Sequence, residues 1–309
     1  MKRLGGHLIV GCCLLFAAVC VADNSSASFD AARAFSHLHA LVEIGPRPPD
    51  SPGSSQAQAY IMDALARSGL DVREQPFVSH TPLGLKQMKN MVGVIPGPAD
   101  SIIIIGAHYD TKLIKEFPFV GANDGASGVA VLLELARILP ARKNPATIWL
   151  VFLDGEEALV RWSAADSLYG SRHMVSRLTE SGEISKVRAM ILLDMVGDAH
   201  LSLEVELLST SWLRKLVWDK ARKLGYTAYF TDNPESIQDD HVPFLKHGVP
   251  ALDIIDFHYG PASRTNEYWH SPADSIENVS PRSLKIVGDV LLESLPDIIK
   301  RSTSELSHR

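Results

Sequence analysis

Apolar, largely β-branched runs recur along the chain at residues 91–95, 102–105, 147–152, 190–193, 203–208 and 250–255. Several lack alternating polar positions, and such runs predict strands buried on both faces. Apolar positions at helical spacing lie between and around them, over 54–68 before Gly69, 127–139 before Pro140 and 210–224 before Gly225. A last helix is predicted to start with Ser280 as N-cap and Pro281 in its first turn, placing Leu284, Val287, Leu291 and Leu295 along one face. Strands alternating with helices imply an α/β sandwich. Irregular stretches are expected at 46–52, 112–121 and 257–269. There is no internal repeat and no low-complexity segment, so residues 23–309 read as one domain.

In open α/β sheets functional groups gather where strands end, which gives special weight to polar residues that terminate apolar runs. The run at 101–105 leads into Gly106-Ala107-His108-Tyr109-Asp110, the run at 147–153 into Asp154-Gly155-Glu156-Glu157, and 191–193 into Asp194; Trp269-His270 comes later. Gly121-Ala122-Asn123-Asp124-Gly125-Ala126-Ser127-Gly128 stands directly before a predicted helix. Taken singly, Asp124 reads as a helix cap, His108 as a hydrogen-bonded core histidine, Asp194 as a loop anchor and His270 as a surface residue near a turn. Together His108, Asp124, Glu157, Asp194 and His270 are a carboxylate and imidazole ligand set that suits zinc. A catalytic zinc needs three protein ligands and one open position, so five candidates serve either two metals or one metal with supporting residues. Neighbouring side chains at a strand end diverge. In the Glu156-Glu157 pair one carboxylate can therefore hold metal while the other acts as general base and acid.

Composition narrows the partners and the compartment. The chain of 309 residues is 46% hydrophobic and carries a net charge of −6, so it shows no basic surface for phosphate backbones and nucleic acid is not an expected partner. Met1-Lys2-Arg3 precedes an apolar run over 8–21, too short to span a bilayer comfortably, with small residues after it. Residues 1–22 are therefore read as a signal peptide, with secretion or a periplasmic location and no stable membrane anchor. All three cysteines, Cys12, Cys13 and Cys20, lie in that segment, which excludes disulfides and a cysteine nucleophile from the processed chain. Asn24-Ser25-Ser26 and Asn278-Val279-Ser280 match glycosylation sequons.

The strings GAHYDT, GANDGASG, DGEEA, LLDMVG and WHSPADSIENVS resemble, in this order, motifs of the zinc aminopeptidase superfamily. The resemblance covers nearly all of the processed chain and implies a three-layer sandwich, a mixed central sheet flanked by helices. For the superfamily it implies His108, Asp124, Glu157, Asp194 and His270 as ligands of two metals and Glu156 as base. A narrower resemblance, to bacterial-type glutaminyl-peptide cyclotransferases, rests on Asp154-Gly155-Glu156-Glu157-Ala158 with Arg161-Trp162, on residues 166–173 (DSLYGSRH) and on residues 237–245 (IQDDHVPFL). It implies one zinc on Asp124, Glu157 and His270, with His108 near the metal but not bound to it. By the same resemblance Glu156 shuttles the proton, Asp194 and Asp239 share hydrogen bonds beside it, Trp162 forms an indole wall and Trp269 lies near the substrate pocket.

The implied activity converts the N-terminal glutamine of a peptide or protein to pyroglutamate with release of ammonia. Tyr169 and Arg172 read as structural, and a monomer is favoured. Animal cyclases carry a cysteine where Ala107 stands here. Two other readings stay open: a secreted aminopeptidase with two zincs, in which His108 and Asp194 become ligands and Glu156 activates water, and an inactive ectodomain that uses the fold for binding.

Overall fold

The computed structural model describes residues 28–261 and 265–304. The expected signal peptide, its cysteines, the Asn24 sequon and residues 262–264 of the irregular stretch lie outside them. In chain order the elements are α1 (Ala31–Ile44), α2 (Pro52–Arg67), β1 (Asp71–Thr81), β2 (Gly84–Ile95), β3 (Ala99–His108), α3 (Ala126–Ile138), β4 (Ala146–Leu153), α4 (Tyr169–Glu180), β5 (Val187–Asp194), β6 (Leu203–Glu206), α5 (Ser211–Lys223), β7 (Phe230–Glu235), α6 (His241–Lys246), β8 (Ala251–Ile255) and α7 (Pro281–Ser304). The six-stranded sheet has the order β1-β2-β4-β3-β5-β8. β1, β2 and β4 pair antiparallel, whereas β4, β3, β5 and β8 pair parallel. The central sheet is thus mixed, as expected.

Side-chain alternation along the strands decides which helices cover which face. Ile103, Ile105 and Ala107 of β3, Ile148 and Leu150 of β4, and Ile191 and Leu193 of β5 pack with Leu38 of α1, Val129 of α3 and Val287 of α7. Ile102 and Ile104, Val151, Met190 and Leu192 point the other way, onto Met174 and Leu178 of α4 and Phe244 of α6. The result is the three-layer sandwich. Leu284, Val287, Leu291 and Leu295 of α7 are all buried, and Ser280 Oγ accepts the amide of Arg282 at 3.2 Å at the start of that helix.

Two departures from the expected elements have physical causes. The run at 203–208 stops at Glu206 and pairs parallel with β7 in a separate two-stranded sheet. β1 and the first half of β2 form a long ribbon whose residues are mostly exposed or half-buried, so no apolar run announces it. Pro76 sits in β1, where the sheet edge tolerates a residue without an amide hydrogen.

The four parallel strands deliver their C-terminal ends to one edge. His108 is in register with Leu153, and Asp194 with Ile255. That edge is where an open α/β sheet leaves a crevice. Among the described residues no helix is long and apolar enough to cross a membrane.

Candidate active site

The site is assembled by carboxylates that hold backbone amides. Asp110, fully buried two residues beyond β3, accepts the amides of Glu156 at 3.1 Å and Glu157 at 3.2 Å, which ties the turn after β4 to the end of β3. Asp274 does the same for the loop before α3, accepting from the amides of Asn123 at 2.6 Å and Asp124 at 3.1 Å. α3 is preceded by Gly125 at φ 93° with no side-chain cap, so Asp124 does not cap the helix and its carboxylate faces the pocket. A side chain at Gly125 would bring its Cβ within 2.5 Å of the Asp110 carbonyl oxygen, and only glycine fits. His270 and Met195, which follows Asp194, hold left-handed backbone at φ 51° and 48°. Strained non-glycine residues of this kind persist where the surroundings over-determine them. For His270 those surroundings include the Trp269 ring stacked at 3.9 Å and the Phe119 edge at 5.8 Å.

Asp124, Glu157 and His270 present donor atoms that all lie within 4.8 Å of one another, and so do His108, Asp124 and Asp194. His270 Nε2 stands 2.8 Å from Glu157 Oε1 and 3.3 Å from Asp124 Oδ2. His108 Nε2 stands 3.3 Å from Asp124 Oδ1 and 3.1 Å from Asp194 Oδ1. Asp124 therefore lends one oxygen to each group, and the five residues singled out from the sequence converge. Asp239 is buried beside them. Its Oδ1 accepts the Asp240 amide at 2.5 Å, and its Oδ2 accepts no hydrogen bond among the described residues. Asp194 Oδ1 lies 3.1 Å from His108 Nε2, and the charge of Asp194 raises the Asp239 carboxyl.

Electrostatics separate the roles. Burial pushes the Glu156 carboxyl well above its ordinary range and the charge of Asp239 pushes it further, which lets this residue hold a proton. Burial also raises Asp239, helped by the charges of Asp194 and Asp240. For His270 burial acts downward, but the Asp124 and Glu157 carboxylates overcome it and bring the ring to about 10. A place between these three donors thus favours positive charge. Asp124 Oδ2, buried and accepting no hydrogen bond among the described residues, offers a lone pair to a cation. Two carboxylates and an imidazole, with no thiol, fit zinc.

These groups line a cavity of about 400 Å³. Trp162 and Trp269 form part of its wall and are 41% and 38% exposed, so neither is a core aromatic. Phe257 packs against Trp269 at 5.3 Å, and Lys112 Nζ donates to Glu157 Oε2 at 3.2 Å. Tyr169 donates to Asp166 at 2.9 Å, and Asp166 in turn accepts the amides of Leu159, Val160 and Arg161.

Sequence reasoning did not single out Asp110, Asp274, Lys112 or Arg47. Asp110 and Asp274 stand two and four residues beyond His108 and His270, a spacing that could have marked them as candidates without separating ligand from loop anchor. Arg47 carries no local signal. It is fully buried and donates to the carbonyls of Tyr109, Val120 and Gly121, fixing the loop that leads to Asp124.

Residues 90–295 match peptidase family M28. A glutaminyl-peptide cyclotransferase-like protein of Mus musculus is 32% identical over 283 residues, which cover 82% of this chain and 72% of the relative. The crystal structure of a glutaminyl cyclase from an Acidobacteriales bacterium superposes with a TM-score of 0.85 at 38% identity, covering 91% of this chain and 98% of that one. A Zn-dependent exopeptidase from Parabacteroides distasonis superposes with a TM-score of 0.78 at 27% identity, covering 88% of this chain and 99% of that one.

Proposed function

The chain belongs to peptidase family M28 and, within it, to the glutaminyl-peptide cyclotransferases, and from that premise we propose how its site turns an N-terminal glutamine into pyroglutamate with release of ammonia. The observation that carries the mechanism is a carboxyl raised by burial, Glu156, adjacent in sequence to Glu157 of the Asp124, Glu157 and His270 trio. Those three would hold one zinc, whose open position supplies Lewis acidity toward a carbonyl oxygen.

The substrate carries its own nucleophile. The α-amine of glutamine lies near its γ-carbonyl carbon, and intramolecular geometry supplies the effective concentration that a second reactant would otherwise need. The new bond joins the α-nitrogen to the γ-carbon, and the bond that breaks releases the amide nitrogen. Glu156 accepts the proton that the amine loses and returns it to the departing nitrogen, which leaves as ammonia. The charge of Asp239 helps to keep the Glu156 carboxyl raised, and Asp194 in turn raises Asp239, so these buried acids compete for protons rather than ionising together. Trp162 and Trp269 provide an apolar wall that favours the neutral amine over ammonium.

The oxygen that Asp124 lends to His108 and Asp194 favours a second reading, a hydrolytic aminopeptidase with two metals. The experiment that separates them incubates the zinc-loaded protein with a Gln-initiated and a Leu-initiated peptide, read by mass spectrometry, with metal counted on the same sample. One zinc per chain and a loss of ammonia from the Gln peptide alone are expected. Two metals and release of free leucine would overturn the cyclase reading. Export through residues 1–22 completes the proposal, with a processed chain that contains no thiol; N-terminal sequencing of the exported protein checks it.

A further inference from the structure

A second cavity, of about 360 Å³, adjoins the first and shares Trp162 and Gln238 with it. The two differ in charge. Asp124, Glu156, Glu157, Asp194, Glu235 and Asp239 line the first, against Lys112 and His270. Arg172, Lys246 and His247 line the second, with no aspartate or glutamate. None of these three cationic or ionisable side chains pairs with a carboxylate among the described residues. Arg172 is instead fixed by the carbonyls of Leu168 at 3.2 Å and Ala164 at 3.0 Å, with its guanidinium 5.0 Å from the Tyr169 ring. His247 Nδ1 lies 2.9 Å from the Pro243 carbonyl oxygen. Leu168, Val175 and Pro243 form a buried, apolar floor.

We propose that this second cavity is a subsite for the part of the peptide substrate that follows the glutamine, and that it selects acidic side chains from about the third residue onward. The proposal rests on the cyclase reading of the first cavity. That chemistry requires the free terminus inside the first cavity, so the rest of the peptide has to leave over its rim, and the rim shared with the second cavity is the Trp162 and Gln238 edge. An extended chain covers about 3.3–3.6 Å per residue, so two residues suffice to cross one indole. Beyond it the peptide meets an apolar floor bordered by Arg172, Lys246 and His247, none of which pairs with a carboxylate among the described residues. A carboxylate side chain there gains attraction that a lysine side chain loses, while the first cavity, rich in carboxylates, offers no such gain to an acid. Arg172, already immobilised, gives up little further freedom on pairing.

The test compares zinc-loaded protein on Gln-Ala-Glu-Glu and Gln-Ala-Lys-Lys peptides. The kcat/KM ratio is expected to favour the acidic peptide by roughly tenfold at low salt, the sum of a few exposed ion pairs, and to shrink toward unity near 1 M salt. Lys246→Glu, an exposed change at the end of α6, should reduce or invert the ratio, and His247→Glu should move it in the same direction. A ratio near one in the wild type, or one that neither variant nor salt changes, would overturn the subsite while leaving the cyclase intact. If neither peptide is cyclised, the cyclase reading fails and the subsite with it.

Discussion

The two sides of the central sheet divide the work. β4, β3, β5 and β8 are parallel, their core positions are buried on both faces, and their C-terminal ends carry or adjoin His108, Glu156, Glu157 and Asp194. β1 and the outer half of β2 are antiparallel and half-exposed, with Val78 61% and Leu85 60% accessible, and none of the residues assigned to the site comes from them. The contrast follows from connectivity. Antiparallel neighbours are joined by a tight turn at Thr81–Gly84, whereas parallel strands return through crossovers, and the loops of those crossovers meet at one edge. Chemistry therefore collects where the chain must travel farthest between strands.

The largest effect expected on the parallel side is that of Glu156→Gln, which should lower kcat by about 10²–10⁴-fold. Zinc content and thermal unfolding should stay close to wild type, because the amide keeps the shape of a side chain whose charge burial already disfavours. Retained turnover would remove Glu156 from the proton path.

Asp110→Asn tests whether position matters as much as identity. It takes one acceptor from the amides of Glu156 and Glu157. Stability should fall by about 1–3 kcal/mol and activity by about 10–100-fold, measured by denaturant unfolding and by peptide turnover. Full activity in this variant would show that the turn after β4 holds itself.

Glu206, at the end of β6 in the small two-stranded sheet, should give a smaller effect that depends on pH. Burial alone would raise this carboxyl, but donors from His241, the Leu208 amide and Ser209 hold it at about 2, below the ordinary 4.5. The folded chain then binds fewer protons at this site than the unfolded one. The stability gained is complete above about pH 4.5 and is lost as pH falls toward 2. Glu206→Gln should cost roughly 1–3 kcal/mol near pH 7 and lie closer to wild type in acid. A constant gap between the two melting curves across that range would exclude the ionised carboxylate as its source.

The ribbon supplies the smallest effect. Leu85→Thr should change stability by no more than about 0.5 kcal/mol and leave kcat/KM unchanged. A measurable loss of activity would end the division between the two sides.

The same contrast explains what could be read without coordinates. Strands buried on both faces announce themselves as runs such as Ile102 to Ile105, and the residues that end them proved to converge in space. β1, with the sequence Asp71-Val72-Arg73-Glu74-Gln75 at its start, has the polarity of a loop and becomes a strand only because β2 pairs with it. α4 also escaped notice, since it buries only a narrow stripe that includes Met174, Val175 and Leu178 beneath a polar surface. Ligand candidates were legible because their types are restrictive. Their supports were not, since Asp110 and Asp274 act on amides brought near by folding, and Arg47 reaches carbonyls up to 74 residues away.

Asp274 grips the segment that bears Asp124, and it lies only four residues beyond His270. Peeling that loop from the body would withdraw an imidazole and unfasten a carboxylate in the same motion, leaving Glu157 alone. With the proposed ligands Asp124, Glu157 and His270, ion capture would be all-or-nothing, and the rate at which zinc escapes would report how often this loop lifts.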